Sequence, residues 1–200
     1  MIIKTIPVGD IQENCYLVMD EETKEAFVVD PGDQGDYLVN IISKLGAKLK
    51  FILLTHGHFD HVGAVSELKN TFKVPHYINE EEKKYMQGTS YVFGKIPEAD
   101  RYLNDGEEID FSGHKIKCLH TPGHSAGGMC FLLNGEHLFA GDTLFYLSVG
   151  RSDFEGGDMD TLVDSIRTKL FVLNDNTIVY PGHGPKTSIM TEKRGNPFAR

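Results

Sequence analysis

Four potential metal ligands, His56, His58, Asp60 and His61, fall within six consecutive positions of the run Thr55-His56-Gly57-His58-Phe59-Asp60-His61. Imidazole nitrogens and carboxylate oxygens suit zinc, iron or manganese. Three more candidates stand apart along the chain. His124 lies in Thr121-Pro122-Gly123-His124-Ser125, Asp142 in Ala140-Gly141-Asp142-Thr143, and His183 in Tyr180-Pro181-Gly182-His183-Gly184. A glycine precedes each, which lets backbone approach a crowded site closely. A lone histidine has many non-metal uses, but five histidines and two aspartates together are enough for two metal ions with open positions. A bound divalent metal lowers the pKa of its water from about 15.7 to about 7, and two ions roughly 3.5–4 Å apart can hold a nucleophile and polarise a carbonyl together. An oxyanion formed there sits beside positive charge, where electrostatic stabilisation counts most. Metal-activated hydrolysis is the expected chemistry, with Asp60 and Asp142 as the carboxylates expected at the reacting centre.

Such ligands have to be delivered by strands and loops. The continuous apolar run 51–55 reads as a buried strand feeding the His-rich loop. Short strands are expected at 2–6, 15–19 and 26–29. A helix is expected over 36–45, with Leu38, Ile41, Ile42 and Leu45 on one face and Gly46 as its stop. Another helix follows at 62–72, then a strand at 75–78 and a helix opening at Asn79 with acidic residues at its positive end. Residues 88–105 mix Gly, Pro and charge with Tyr91, Phe93 and Tyr102. They read as a long insertion, either a lid or a segment packed on the core. Strands at 108–111, 115–120, 129–133 and 137–140 are punctuated by Ser112-Gly113 and Asn134-Gly135, both good hairpin turns. A helix over 161–173, capped by Asp158 or Asp160, and a strand at 177–180 complete the pattern. No repeat or linker divides the chain, so residues 1–200 are expected to form one domain with sheets inside and helices outside.

Composition narrows the classes. With 40% hydrophobic and 24% charged residues, the chain can build a core. A formal net charge of −9 argues against general nucleic-acid binding, which needs clustered Lys and Arg. No apolar run approaches the roughly 20 residues of a membrane helix, and the first residues lack the pattern of a secretory signal. The three cysteines, Cys15, Cys118 and Cys130, are odd in number and scattered, which suits a reducing compartment. A cytoplasmic location is therefore expected.

The run His56-x-His58-x-Asp60-His61, taken with His124, Asp142 and His183, resembles the metallo-β-lactamase superfamily and, within it, the short glyoxalase II-like hydrolases. The likeness extends from Asn14-Cys15-Tyr16 and Asp30-Pro31-Gly32 through Gly182-His183-Gly184. It implies an α+β fold, a four-layer αββα sandwich with the ligand loops gathered on one edge. It further implies one metal on His56, His58 and His124, a second on Asp60, His61 and His183, and Asp142 bridging both. Two divalent ions are expected, zinc first, with iron or manganese as alternatives. The implied substrate is a small acyl-thiol thioester such as S-D-lactoylglutathione. Two features depart from the longer members. The sequence ends at Arg200, without their C-terminal helical domain, and Gly184-Pro185 stands where they carry a glutathione-contacting Tyr.

Several assignments stay open at this level. Arg151 aligns with a basic position that holds a peptide carboxylate in longer relatives, a task its planar fork suits; the other reading is a solvated loop residue. Tyr146 is expected at the same mouth. Asp30 is either ordinary turn chemistry or a carboxylate that orients a metal-bound histidine. His76, His114, His120 and His137 are expected to be structural or on the surface. The tail Asn196-Pro197-Phe198 resembles that of short members. Two other readings compete with hydrolysis. One is an oxidoreductase similar to persulfide dioxygenases, with a single iron on His56, His124 and Asp142, donors that suit non-haem iron. The other is a non-catalytic metal-binding protein, disfavoured because no ligand position is lost.

Overall fold

The computed structural model describes residues 1–199. Its first sheet runs in the spatial order β1 (Ile2–Val8), β2 (Glu13–Met19), β3 (Glu25–Val29), β4 (Lys48–Leu53), β5 (His76–Ile78) and β6 (Arg101–Tyr102). The first three strands are antiparallel and the rest parallel. Parallel neighbours need crossovers. Helix α1 (Gly35–Lys44), the pair α2 (Phe59–Val62) and α3 (Val65–Phe72), and then α4 (Glu80–Met86) lie in those connections.

The second sheet contains the meander β7 (Glu108–Phe111), β8 (His114–His120), β9 (Met129–Leu133) and β10 (His137–Gly141). A small hairpin, β11 (Leu144–Phe145) and β12 (Ser148–Val149), follows. Helix α5 (Met159–Ser165) runs into a π-helical turn at Ile166–Leu170. Strand β13 (Ile178–Pro181) then joins β10 in parallel, and β14 (Thr187–Ser188) and α6 (Ile189–Gly195) close the chain.

Strand β2 shows how the layers arise. Tyr16 and Val18 face the second sheet, while Cys15, Leu17 and Met19 face the helices with Leu38, Ile42 and Leu68, the period-two alternation of a strand buried on both sides. Between the sheets Phe27 stacks on Phe51 at 5.4 Å and meets Phe111 edge-on at 4.9 Å. Truncating such a ring to Ala costs about 3–5 kcal/mol. Beyond the second sheet, Leu132, Leu138 and Ala140 pack against Leu162, Ile166, Leu170 and Ile189. The result is the expected αββα sandwich.

Local signals act as their chemistry suggests. Ser112 and Gly113 have φ of 50° and 78°, and Asn134 and Gly135 of 52° and 74°, the left-handed pairs of type I′ hairpins. Of the two candidate caps for α5, Asp158 accepts the Thr161 N–H at 2.8 Å. The helix expected over 62–72 is instead broken after Val62, because the Ala64 N–H is taken by the Pro31 carbonyl at 2.9 Å. The helix expected to continue to 173 relaxes at its end, where the Phe171 N–H reaches back to Ile166. Among the described residues no helix is long and apolar enough to cross a membrane.

Candidate metal centre

The seven expected ligands converge where strands end. His56 and His58 follow β4, Asp60 and His61 lie on the single-turn α2, and His124, Asp142 and His183 follow β8, β10 and β13. The His183 loop is held by β2: the Asn14 side chain donates to the Pro181 and Gly184 carbonyls at 3.0 and 2.9 Å, and the Tyr16 hydroxyl donates to Pro181 at 2.6 Å.

Two ligand sets result. In the first, Nδ1 of His58 lies 3.0 Å from Nε2 of both His56 and His124, which are 3.2 Å apart. Ligands at zinc–nitrogen distances of about 2.0–2.1 Å in a tetrahedron stand roughly 3.3 Å apart. In the second, Asp60 Oδ2 lies 3.2 Å from His183 Nε2 and 3.5 Å from His61 Nε2. Asp142 stands between them. Its Oδ1 is 3.4 Å from His61 Nε2, and its Oδ2 is 3.5 Å from His124 and 3.7 Å from His183.

Groups behind the ligands fix which nitrogen is free. Asp30, at φ 49°, accepts from the Thr55 N–H at 2.7 Å, the Thr55 hydroxyl at 2.6 Å and His61 Nδ1 at 3.0 Å. With its proton given to Asp30, the Thr55 hydroxyl accepts from His56 Nδ1 at 3.0 Å. The Arg151 carbonyl accepts from His124 Nδ1 at 2.7 Å. These bonds assign the protons of His56, His61 and His124 to Nδ1 and turn their Nε2 lone pairs inward, as metal-binding histidines require. Asp30 thus orients the His61 ring directly and the His56 ring through Thr55. Although it clusters with His56 and His61, its oxygens are already taken.

The set fits divalent metal. His61 Nε2 and Asp142 Oδ1 are buried, face each other, and have no hydrogen-bond partner among the described residues; a buried unpaired polar atom is costly. Burial, aided by neighbouring imidazoles, holds His56 well below the ordinary histidine range and brings His58 down to about 3. These are therefore neutral donors. Burial opposes the Asp142 charge, but His61, His124 and His183 outweigh it and hold the carboxyl well below the usual range. Burial likewise opposes charge on His61, yet Asp142 and Asp30 push it well up, so without metal its Nε2 also carries a proton, which a bound ion would displace to free that lone pair.

The ligands open onto a cleft of about 440 Å³ walled by Ile11, Phe59, Tyr91, Phe145, Phe154 and Arg151. Arg151 is exposed, its Nε and Nη2 both 2.7 Å from Asp153 carboxylate oxygens and its guanidinium 3.8 Å over the Phe154 ring. Tyr146 does not line the cleft; it is half exposed in the turn of the β11–β12 hairpin, and its neighbour Phe145 faces the cleft instead, 6.2 Å from the His183 ring. The segment 88–105 lies across the ligand loop. Val92 accepts from the Phe59 N–H at 2.8 Å, the Gly94 N–H donates to Gly57 at 2.9 Å, and Phe93 packs 4.8 Å from His58, leaving Tyr91 exposed at the rim. His76, His114, His120 and His137 join none of these ligand sets.

Sequence reading passed over several contributors. Buried Glu13 lies 3.7 Å behind His61, with both oxygens unpaired among the described residues, and burial pushes its carboxyl well up. Buried Glu192 and Asn196 hold the β11–β12 hairpin through the Leu147 N–H and the Ser148 carbonyl. Fully buried Glu82 touches two ligand loops. Only Glu82 left a sequence signal, its place four residues before Met86 on one face of α4.

Residues 8–183 match the metallo-β-lactamase superfamily. The chain belongs to that superfamily. Hydroxyacylglutathione hydrolase GloC of Haemophilus influenzae is 42% identical to this superfamily chain, over 99% of it and 98% of the relative. Among solved structures, BLEG-1 B3 metallo-β-lactamase superposes with a TM-score of 0.92 at 36% identity, covering 99% of each chain. TTHA1623 in a di-iron-bound form superposes with a TM-score of 0.86 at 37% identity, covering 98% of this chain and 99% of that one.

Proposed function

We propose that this chain is a binuclear metal-dependent hydrolase of small thioesters, S-D-lactoylglutathione or a related acyl-thiol. The carrying observation is Asp142, one carboxylate facing His61 with Oδ1 and both His124 and His183 with Oδ2. In this reading one ion is held by His56, His58 and His124, the other by Asp60, His61 and His183, with Asp142 shared. Bound there, the metals supply an activated water and polarise the acyl carbonyl.

The chain supplies orientation and exclusion. Asp30 and Thr55 keep the histidines in the donor tautomer, Phe93 and Val92 cover the loop behind them, and the apolar walls shield the reacting carbonyl from bulk water. The cleft volume lies within the range of small-ligand sites. Arg151 is proposed to meet the carboxylate of the thiol carrier in exchange for Asp153, an exposed pairing that is cheap to give up. The relationship to GloC supports the substrate class. Zinc is the metal proposed first, and the di-iron form of TTHA1623 supports iron as a workable occupant. In the competing reading, one iron on His56, His124 and Asp142, His58 would have no role despite lying 3.0 Å from both imidazoles.

The test is an anaerobic assay of thiol release from S-D-lactoylglutathione, run beside oxygen uptake on glutathione persulfide. Thiol release that a chelator abolishes is expected. Iron-dependent oxygen uptake with no thioester turnover under any metal condition would overturn the proposal.

A further inference from the structure

Glu82 places a carboxylate beneath the metal site with no exposure to solvent. Both of its oxygens accept backbone hydrogen bonds, Oε2 from the Gly57 N–H at 2.8 Å and Oε1 from the Gly127 N–H at 2.7 Å. Gly57 sits between His56 and His58, and Gly127 lies three residues beyond His124. Burying a carboxylate is expensive, a cost that an apolar side chain at this position of α4 would not carry. Its return is two charge-assisted bonds, the stronger class of hydrogen bond, to two loops far apart in sequence.

We propose that Glu82 is a positioning residue for the first metal site, a clamp that sets the spacing of the 56–58 and 124–127 loops before metal arrives. It acts through the backbone, so His56, His58 and His124 are preorganised within 3.2 Å of one another. The loops are seated tightly on it. A Cβ at Gly127 would lie 2.8 Å from Glu82 Cγ, and one at Gly57 would lie 3.0 Å from Oε2. Asp60, His61 and His183 come from α2 and the end of β13 and make no hydrogen bond to Glu82. The clamp therefore discriminates between the two sites, and it rests on the two-metal reading above.

Glu82→Gln can satisfy one loop amide and leaves the other facing its NH2 group; Glu82→Ala satisfies neither. Metal-free wild type and variants are titrated with zinc against a chelator. Wild type is expected to bind two ions, and the variants one ion at wild-type affinity and one about 10- to 100-fold more weakly, the range for lost supporting bonds. Excess zinc is expected to restore turnover in Glu82→Gln. Equal weakening of both ions, or of neither, would overturn the clamp. Amide hydrogen exchange on metal-free wild type decides independently, even if the variants fail to fold or wild type binds fewer than two ions. Protection of Gly57 and Gly127 comparable to sheet amides is expected, and exchange at the rate of an open loop would refute it. Fewer than two ions in wild type would count against the two-metal reading alone.

Discussion

Asp30 Oδ2 and His61 Nδ1 lie 3.0 Å apart at the base of the site, where the same carboxylate also receives both hydrogen-bond donors of Thr55. Asp30→Asn tests this junction with little backbone effect, since Asn tolerates the left-handed φ of 49°. An amide cannot accept all three bonds. Metal affinity should fall about 10- to 100-fold while circular dichroism stays native. Unchanged affinity in a chelator competition would return Asp30 to a turn role.

Gly182 is fixed by close approach. A Cβ there would sit 2.2 Å from Asp142 Oδ1 and 2.8 Å from His61 Cε1. Gly182→Ala should displace the shared carboxylate, lowering metal occupancy and turnover at least about tenfold, a barrier change of about 1.4 kcal/mol. Elemental analysis with kinetics measures it, and full occupancy with full activity would contradict the placement of Asp142.

Arg151 supports His124 through its main-chain carbonyl, so Arg151→Ala removes the side chain and leaves that bond in place. If the guanidinium meets substrate, KM should rise more than kcat falls, the signature of lost uniform binding. An unchanged KM for every active thioester would make Arg151 a surface residue paired with Asp153.

The fold and the residues that converge on the site were legible because their signals are local. Asn134-Gly135 demands a left-handed turn, and the His56–His61 run concentrates donors on one loop. What escaped depends on main-chain atoms or on very short elements. No residue type marks the Arg151 carbonyl as the partner of His124, and the two-residue strands β6, β11, β12 and β14 are too brief for periodicity. Helix α6 carries two apolar residues in Ile189-Met190 before Thr, Glu, Lys and Arg, too few for a helical period to show. Tyr146 is expected at the mouth, but the β11–β12 hairpin turns Phe145 to the cleft instead.

The buried thiols give a pH dependence with a defined sign. Burial pushes Cys130 up to about 11 and Cys118 up to about 12, against about 8.5 for a free thiol. The native state holds these protons more tightly, so their contribution to stability is full below about pH 8.5 and is lost as pH rises toward the folded values. The difference in melting temperature between wild type and Cys130→Ala should therefore shrink from pH 8 to pH 10.5. A constant difference would contradict the burial effect. Native protein at pH 8 should also resist thiol reagents until unfolded.

The central claim, two metal sites sharing Asp142, is tested most directly by counting ions. Metal-free protein reconstituted with zinc, freed of excess and analysed for metal should hold two ions per chain, and Asp142→Ala should lose affinity at both sites. Saturation of wild type at one ion, or full occupancy in Asp142→Ala, would contradict it.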